Sequence, residues 1–313
     1  MLFQHTPVLL KEVLDYLNVQ PGDIAIDGTI GGAGHSREIL KKIKPNGFLL
    51  GLDLDKAAIK ASQERLSLVS NQFKLINDSF AKIEFYGKQL EFLSKVSAIL
   101  LDLGVSSYEI RDAGRGFSFQ KPDELLDLRM NEDGPLTAAD ILNTYREEEI
   151  CSLLKEYGEE PLAKKISRRV CLYRKTKKIE KVSDLLKIVA EAYQGQRKPK
   201  KIHMATRTWQ ALRIAVNDEL YNLQQFLPSA LRLLKPGGRL AIISFHSLED
   251  RIVKNFFRQE SKDCLCSPDV PMCVCHHKKQ IKLLTKKPVT PSPKEIEDNP
   301  PSRSAKLRVI AKI

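Results

Sequence analysis

The chain has 313 residues, and at roughly 100–200 residues per domain this predicts two domains. Apolar residues make up 42% and charged residues 29%, which excludes a disordered chain, and no apolar run approaches the roughly 18 residues of a membrane span. The 51 Lys and Arg outnumber the 39 Asp and Glu for a net charge of +12, which points to a polyanionic partner.

Met1-Leu2-Phe3-Gln4-His5 is not a basic segment followed by an apolar one, so the expected location is the cytoplasm. Asp23–Asp27 reads as a short buried strand. A glycine-rich turn, Gly28–His35, and a helix over Ser36–Lys44 follow it. Phe48–Asp53 is a second strand, Lys56–Leu68 a helix, Gln72–Asn77 a third strand and Val96–Leu101 a fourth. Strands alternating with helices predict an α/β fold with a parallel sheet covered on both faces. The alternation then stops. Thr137 caps a helix reaching about Tyr157, and Ser183 caps another reaching about Tyr193. A long helical stretch from Thr206 to Leu234 leads back, and Pro236-Gly237-Gly238 turns into a fifth strand, Arg239–Phe245. Lys282–Thr285 and Lys306–Ile310 are further strand candidates, and the proline-rich Lys287–Ser304 reads as an irregular loop. The expected division is a discontinuous sheet domain, residues 1–107 and 205–313, carrying an inserted helical domain, residues 108–204.

Charge follows this division unevenly. Lys121–Glu160 holds 12 acidic and 4 basic residues, whereas Pro161–Arg213 holds 16 basic and 3 acidic ones. A second basic stretch runs from Lys278 to Lys312. One such run is commonly a solvated helix face; two runs far apart in sequence favour a surface for phosphates.

Small or acidic residues close four of the strands: Asp27-Gly28, Asp53, Asp78-Ser79 and Asp102. Ligands of open α/β sheets bind beyond the carboxyl ends of the strands, and a carboxylate after the second strand suits a ribose diol. The dinucleotide fingerprint fails because Gly32-Ala33-Gly34 is followed by Arg37 where glycine is needed, and no Walker A motif occurs. An adenosyl ligand without a pyrophosphate is therefore favoured, and S-adenosylmethionine fits.

Several segments then carry a resemblance. They are His5–Leu10, Asp27–Ser36, Leu100–Ser107, Arg115–Phe119, Leu126–Met130, Tyr157–Glu160, Ala205–Arg213, Ile243–Arg251 and Arg303–Arg308. In this order they resemble the bacterial ribosomal RNA small subunit methyltransferase H family (RsmH, formerly MraW) from end to end. The resemblance implies a Rossmann-like S-adenosylmethionine-dependent methyltransferase sheet with an inserted helical domain, acting on cytosine N4 of 16S ribosomal RNA near the decoding centre. It implies cofactor contacts at Ala33, Gly34, His35, Asp53, Phe80 and Asp102. One more contact falls at Glu109, where the family usually has Gln, so a charge is added. Met204 replaces the family's usual Pro, and Pro301-Ser302 its common Arg-Ala.

Cytosine N4 is a poor nucleophile because its lone pair is delocalised into the ring. An acceptor for an N4 proton would localise that pair, and Asp102 is the first candidate, with Ser106, Ser107 and His246 behind it. His246 is equally readable as a capping residue after the fifth strand. Carbon methylation would need a cysteine after a strand end. Cys151 and Cys171 are not so placed. The absence of Asp-Pro-Pro-Tyr after the fourth strand argues against a DNA amino-methyltransferase, and the intact glycine turn argues against a mere RNA-binding factor. RNA candidates are Arg207, Trp209 and Arg213, with Phe117 and Phe119 as further stacking candidates, although ordinary core packing of the aromatics is the commoner outcome. A basic surface in both domains favours a structured ribonucleoprotein, the small ribosomal subunit or a late assembly intermediate, over naked RNA. Cys264-Leu-Cys266 and Cys273-Val-Cys275 could hold zinc through four thiolates, but they lack the usual C-x₂₋₄-C ligand spacing, so unpaired thiols or a redox-sensitive pair are preferred and no metal is assigned.

Overall fold

The structure, a computed structural model, describes residues 7–104, 114–197, 199, 202–267, 269 and 272–313. It divides into two units, Met1–Gly104 with Leu220–Ile313, and Val105–Glu219. The sequence places these divisions after 107 and before 205. The second lies later because helix Thr206–Asn217 buries Trp209, Ala211 and Leu212 in the core of the helical unit.

In chain order the first unit runs α1 (Leu10–Leu17), β1 (Ile24–Asp27), α2 (Gly34–Ile43), β2 (Phe48–Asp53), α3 (Lys56–Ser67), β3 (Phe73–Asn77), α4 (Ile83–Gln89) and β4 (Val96–Asp102). The second contributes α5 (Ala138–Thr144), α6 (Glu147–Gly158), α7 (Ala163–Tyr173), α8 (Val182–Ala192) and α9 (Thr206–Asn217). The chain returns through α10 (Glu219–Leu233), β5 (Leu234–Ser244), α11 (Ser247–Glu260), β6 (Ile281–Leu283), α12 (Pro293–Asp298) and β7 (Lys306–Lys312).

The seven strands form one sheet in the order β3-β2-β1-β4-β5-β7-β6. The first five are parallel, and β7 runs antiparallel to both of its neighbours. Successive side chains on a strand face opposite sides. Ile99 and Leu101 of β4 accordingly join one apolar layer, with Leu223 and Phe226 of α10 and Phe257 of α11. Ala98 and Leu100 join the other, with Val13 of α1, Leu40 of α2 and Leu66 of α3. Burial on both sides explains why β4 reads as an apolar run, Ala98–Leu101, with Ser97 as the polar residue near its start. Pro236-Gly237-Gly238 lies inside β5: Val96 pairs with Leu234 but Ala98 with Arg239, and the turn occupies the shift in register.

The helical unit is more broken than its apolar periodicity implies. The helix expected from Thr137 to Tyr157 is two helices. Arg174 donates to the carbonyls of Leu142 and Tyr145 at 2.7 Å, satisfying the end of α5, and Glu147, Glu148 and Glu149 favour a new amino terminus there. Asp184, not Ser183, caps α8, accepting from the Lys181 and Glu180 amides at 3.1 Å. The long return helix breaks at Asp218, which takes φ 50°, while the Asn217 side chain donates through Nδ2 to the Leu128 carbonyl at 2.8 Å. Within the loop expected over 287–304, α12 forms, and its Glu295 accepts from the Leu9 amide at 2.7 Å.

Candidate functional site

Strand order reverses between β1 and β4, so the crevice beyond their carboxyl ends is where an open α/β sheet binds its ligand. Gly28 follows β1 there, its amide bonded to the Leu100 carbonyl at 2.9 Å. A Cβ on Gly28 would lie 2.8 Å from Leu101 Cδ1 and 3.2 Å from Phe80 Cβ, so a side chain there would have to displace its neighbours. The turn continues through Gly31 and Ala33, both at positive φ, into α2. It is held from outside. Ser62 of α3 donates to the Gly31 carbonyl at 2.8 Å, Arg65 to the Gly32 carbonyl at 2.6 Å, and the Gly31 amide donates to Asp53 Oδ2 at 2.8 Å. The backbone facing the crevice is thus fixed before any ligand arrives.

Three acids surround the turn. Asp27 is buried, accepting from Ser36 Oγ at 2.6 Å and the Thr29 amide at 3.1 Å. Burial pushes its carboxyl up to about 7 despite those bonds, with the Asp53 charge adding to the rise. Asp53, at the end of β2, accepts from the Gly31 and Asp55 amides, yet burial raises it to about 6. A carboxylate offers roughly four acceptor directions, more than these amides use, which leaves room for ribose hydroxyls. Asp102, at the end of β4, is the most perturbed. Burial first, then the Asp27 and Glu249 charges, raises it well above the ordinary range. Its amide donates to Thr29 Oγ1 at 2.7 Å, while Oδ1 is buried and has no hydrogen-bond partner among the described residues.

His35 stands beside it, Nδ1 lying 3.7 Å from Asp102 Oδ2. Its Nε2 is 2.9 Å from the Val8 carbonyl, which can only accept, so Nε2 carries a proton. Among the described residues, no Lys or Arg forms an ion pair with Asp27, Asp53 or Asp102. Raised carboxyls without a lysine or arginine partner suit a ligand that brings positive charge. S-adenosylmethionine, with its sulfonium and ammonium groups, meets that requirement, and a ribose fits Asp53.

The remaining candidates scatter. Phe80 packs edge-to-face on Phe226 with ring centres 5.5 Å apart, beside Gly28. Asp78 is committed elsewhere: it accepts from Tyr86 Oη at 2.6 Å, Lys82 Nζ at 2.9 Å and the Ser79 amide at 2.8 Å. Burial would raise its carboxyl, but these donors outweigh it and hold it below the usual range. His246 caps α11, the Glu249 amide pointing at Nδ1 at 3.4 Å. Ser106, Ser107 and Glu109 lie outside the described residues.

In the helical unit Trp209 is corrected from a stacking platform to a core residue. It is 5% exposed, and its indole N–H donates to the Gly116 carbonyl at 2.9 Å. Phe119 meets it edge-on and stacks on His203 at 4.8 Å. Arg213 is held by Glu219 through two bonds of 2.7 and 2.8 Å, a fork that ties α9 to the residue beyond Asp218. Arg207 is half-buried on the same helix.

Glu249 is the site residue that sequence reasoning missed. It is 2% exposed, accepts from the Phe245 amide at 2.9 Å and adds its charge to the field on Asp102. The signal available was His246-Ser-Leu-Glu249 directly after a strand, a variant of the reciprocal capping pattern.

Against known proteins, residues 2–313 match the model of the MraW methylase family. The ribosomal RNA small subunit methyltransferase H of Heliobacterium mobile is 47% identical over all of both chains. Its counterpart in Heliobacterium modesticaldum is 45% identical, and that of Geobacter sulfurreducens 46%, again over the whole of each chain.

Proposed function

The chain belongs to the MraW methylase family, and from that premise we propose that it transfers a methyl group from S-adenosylmethionine to N4 of a cytidine in 16S ribosomal RNA near the decoding centre. The observation that carries this reading is Asp102: a buried carboxyl at the strand switch point whose Oδ1 is unpartnered among the described residues. Bound S-adenosylmethionine supplies an electrophilic methyl carbon on a sulfonium. Asp53 holds the ribose, and the backbone of Gly31–Gly34 lies against the ligand. Asp102 accepts a hydrogen bond from the cytosine amine, which draws nitrogen lone-pair density out of the ring and aims it at the methyl carbon. As nitrogen bonds to carbon, the carbon–sulfur bond breaks and the amine loses one proton. The raised affinity of Asp102 for protons suits it to take that proton before passing it to solvent. The target base must leave its stack to reach the crevice.

The substrate surface is the exposed face of α7. Lys164 and Arg168 point outward four residues apart, with Lys175 exposed just beyond the end of the helix, while Ile166 and Val170 face the core. Such a face suits the phosphates of a folded RNA, in the small subunit or a late assembly intermediate, in the cytoplasm. No helix among the described residues is long and apolar enough to cross a membrane.

The test is transfer of labelled methyl from S-adenosylmethionine to small ribosomal subunits isolated without this modification, with nucleoside mass spectrometry of the product. N4-methylcytidine is the expected product. No incorporation into subunits or naked 16S RNA by protein that binds the cofactor would overturn the substrate. Equal turnover on naked transcript and subunit would remove the preference for an assembled particle.

A further inference from the structure

Between α11 and β6 the chain runs through residues 261–280 without helix or strand among those described. A connection of this length without regular structure needs a tether to hold one shape. Its base has one: the Gln280 amide donates to the Glu260 carbonyl and its side chain to Glu260 Oε2, both at 2.9 Å. The described apolar residues of its tip form no core: Leu265, Met272 and Val274 are 40%, 79% and 69% exposed.

What converges at the tip is sulfur. Cys264 Sγ lies 3.5 Å from Cys273 Sγ and 3.7 Å from Cys275 Sγ, and the latter two are 3.6 Å apart. With Cys266, all four sulfurs fall within 4.8 Å of one another. A disulfide needs about 2.05 Å, far shorter than these separations. Four thiolates about 2.3 Å from a central zinc ion stand about 3.8 Å apart when tetrahedral, close to the spacing found. Backbone amides also point at sulfur: Leu265 at Cys275 (3.3 Å), Cys266 at Cys264 (3.4 Å) and Val274 at Cys266 (3.4 Å).

We propose that Cys264, Cys266, Cys273 and Cys275 bind one zinc ion in a closed tetrathiolate site that organises this loop. The C-x-C spacing weighed against a metal in the sequence, but the fold of the loop brings the two pairs face to face. Each zinc–sulfur bond replaces a sulfur–hydrogen bond and releases a proton to solvent, and no electron is transferred. Soft sulfur donors select zinc over magnesium or calcium. Four protein ligands leave no position for water, so the site is structural rather than catalytic.

The test uses the full chain purified under reducing conditions, with bound metal measured by elemental mass spectrometry. One zinc per chain is expected, retained through gel filtration. Replacement by cobalt(II) should give the intense visible bands of tetrahedral cobalt together with sulfur-to-metal charge transfer. Cys264→Ser and Cys273→Ser should each lose the metal while Cys151→Ser keeps it, with S-adenosylmethionine affinity showing that every variant is folded. Zinc well below one per chain, a cobalt spectrum without charge-transfer bands, or native disulfides among the four cysteines by peptide mapping would each overturn the proposal.

Discussion

Two sets of acids, one closing helices in the helical unit and one at the switch point of the sheet, are treated in opposite ways. In the helical unit, burial would raise Asp184, yet Lys177 at 2.6 Å, two amides and Tyr173 outweigh it and hold its carboxyl down at about 2. In the sheet unit Asp27, Asp53 and Asp102 are raised instead, by burial first and then by a neighbouring carboxylate charge: Asp53 on Asp27, Asp55 on Asp53, and Asp27 with Glu249 on Asp102. One set is spent on structure: Asp184 closes α8, and the Arg213–Glu219 fork closes α9. The other carries the cost of burial with no Lys or Arg ion pair among the described residues. Perturbed acids clustered at strand ends mark a functional site because folding alone gives no reason to put them there.

The strongest way to break this contrast is Asp102→Asn. It keeps shape and removes the proton-accepting carboxylate, so methyl transfer at saturating S-adenosylmethionine should fall roughly 10²–10⁴-fold. Retained turnover would give the proton to another group. Asp53→Ala should weaken S-adenosylmethionine binding by about 10–100-fold, the worth of one or two charge-assisted hydrogen bonds, as measured by calorimetry. RNA affinity should not move. A pure RNA-binding protein would show no cofactor affinity in either form.

The raised acids also set a pH dependence. Asp27 and Asp53 titrate near 7 and 6 when folded, above the ordinary value of 3.8, so between about pH 4 and 7 the folded chain binds more protons than the unfolded one. Stability of the ligand-free protein therefore falls as pH rises through that window. Melting at pH 5 and pH 8 should show the loss, and Asp27→Asn should shrink it while keeping the Ser36 and Thr29 contacts. An unchanged pH profile in the variant would refute the assignment. Lys164→Glu with Arg168→Glu should lower RNA affinity roughly tenfold and reduce its salt slope by about two, leaving cofactor affinity intact. The smallest effect belongs to Trp209→Phe. Losing the bond to Gly116 should cost about 1 kcal/mol of stability and nothing in RNA binding, measured by denaturation and filter binding. A loss of RNA affinity without loss of stability would restore it as a base-stacking residue.

Much of the sheet was legible because strand burial writes itself into composition. Val96–Asp102 is apolar apart from Ser97 and its closing Asp102, and Phe48–Asp53 matches its expected bounds. The order of motifs was enough to identify the family. Helix ends were less legible, since α5 stops where Arg174, from 29 residues downstream, reaches the Tyr145 carbonyl, a contact that no local pattern encodes. Trp209 and Arg213 looked free for RNA because charge and aromaticity are visible in sequence, while an indole bonded to Gly116 or a guanidinium gripped by Glu219 is not.

By itself, then, the sequence determined the alternating sheet, the glycine turn and the acids that close its strands, because each follows from short-range periodicity or from residue type at a known strand position. Only the tertiary structure decided which acids matter. Asp78 and Asp102 both follow strand ends, but Tyr86 and Lys82 reach the first, whereas Oδ1 of the second is left unbonded among the described residues, inside a field made by Asp27 and Glu249. The same holds for the four cysteines, whose spacing along the chain reads as ordinary thiols and whose sulfurs meet only once the loop is folded. Proton affinity and metal geometry depend on distances between groups remote in sequence, and folding alone sets those distances.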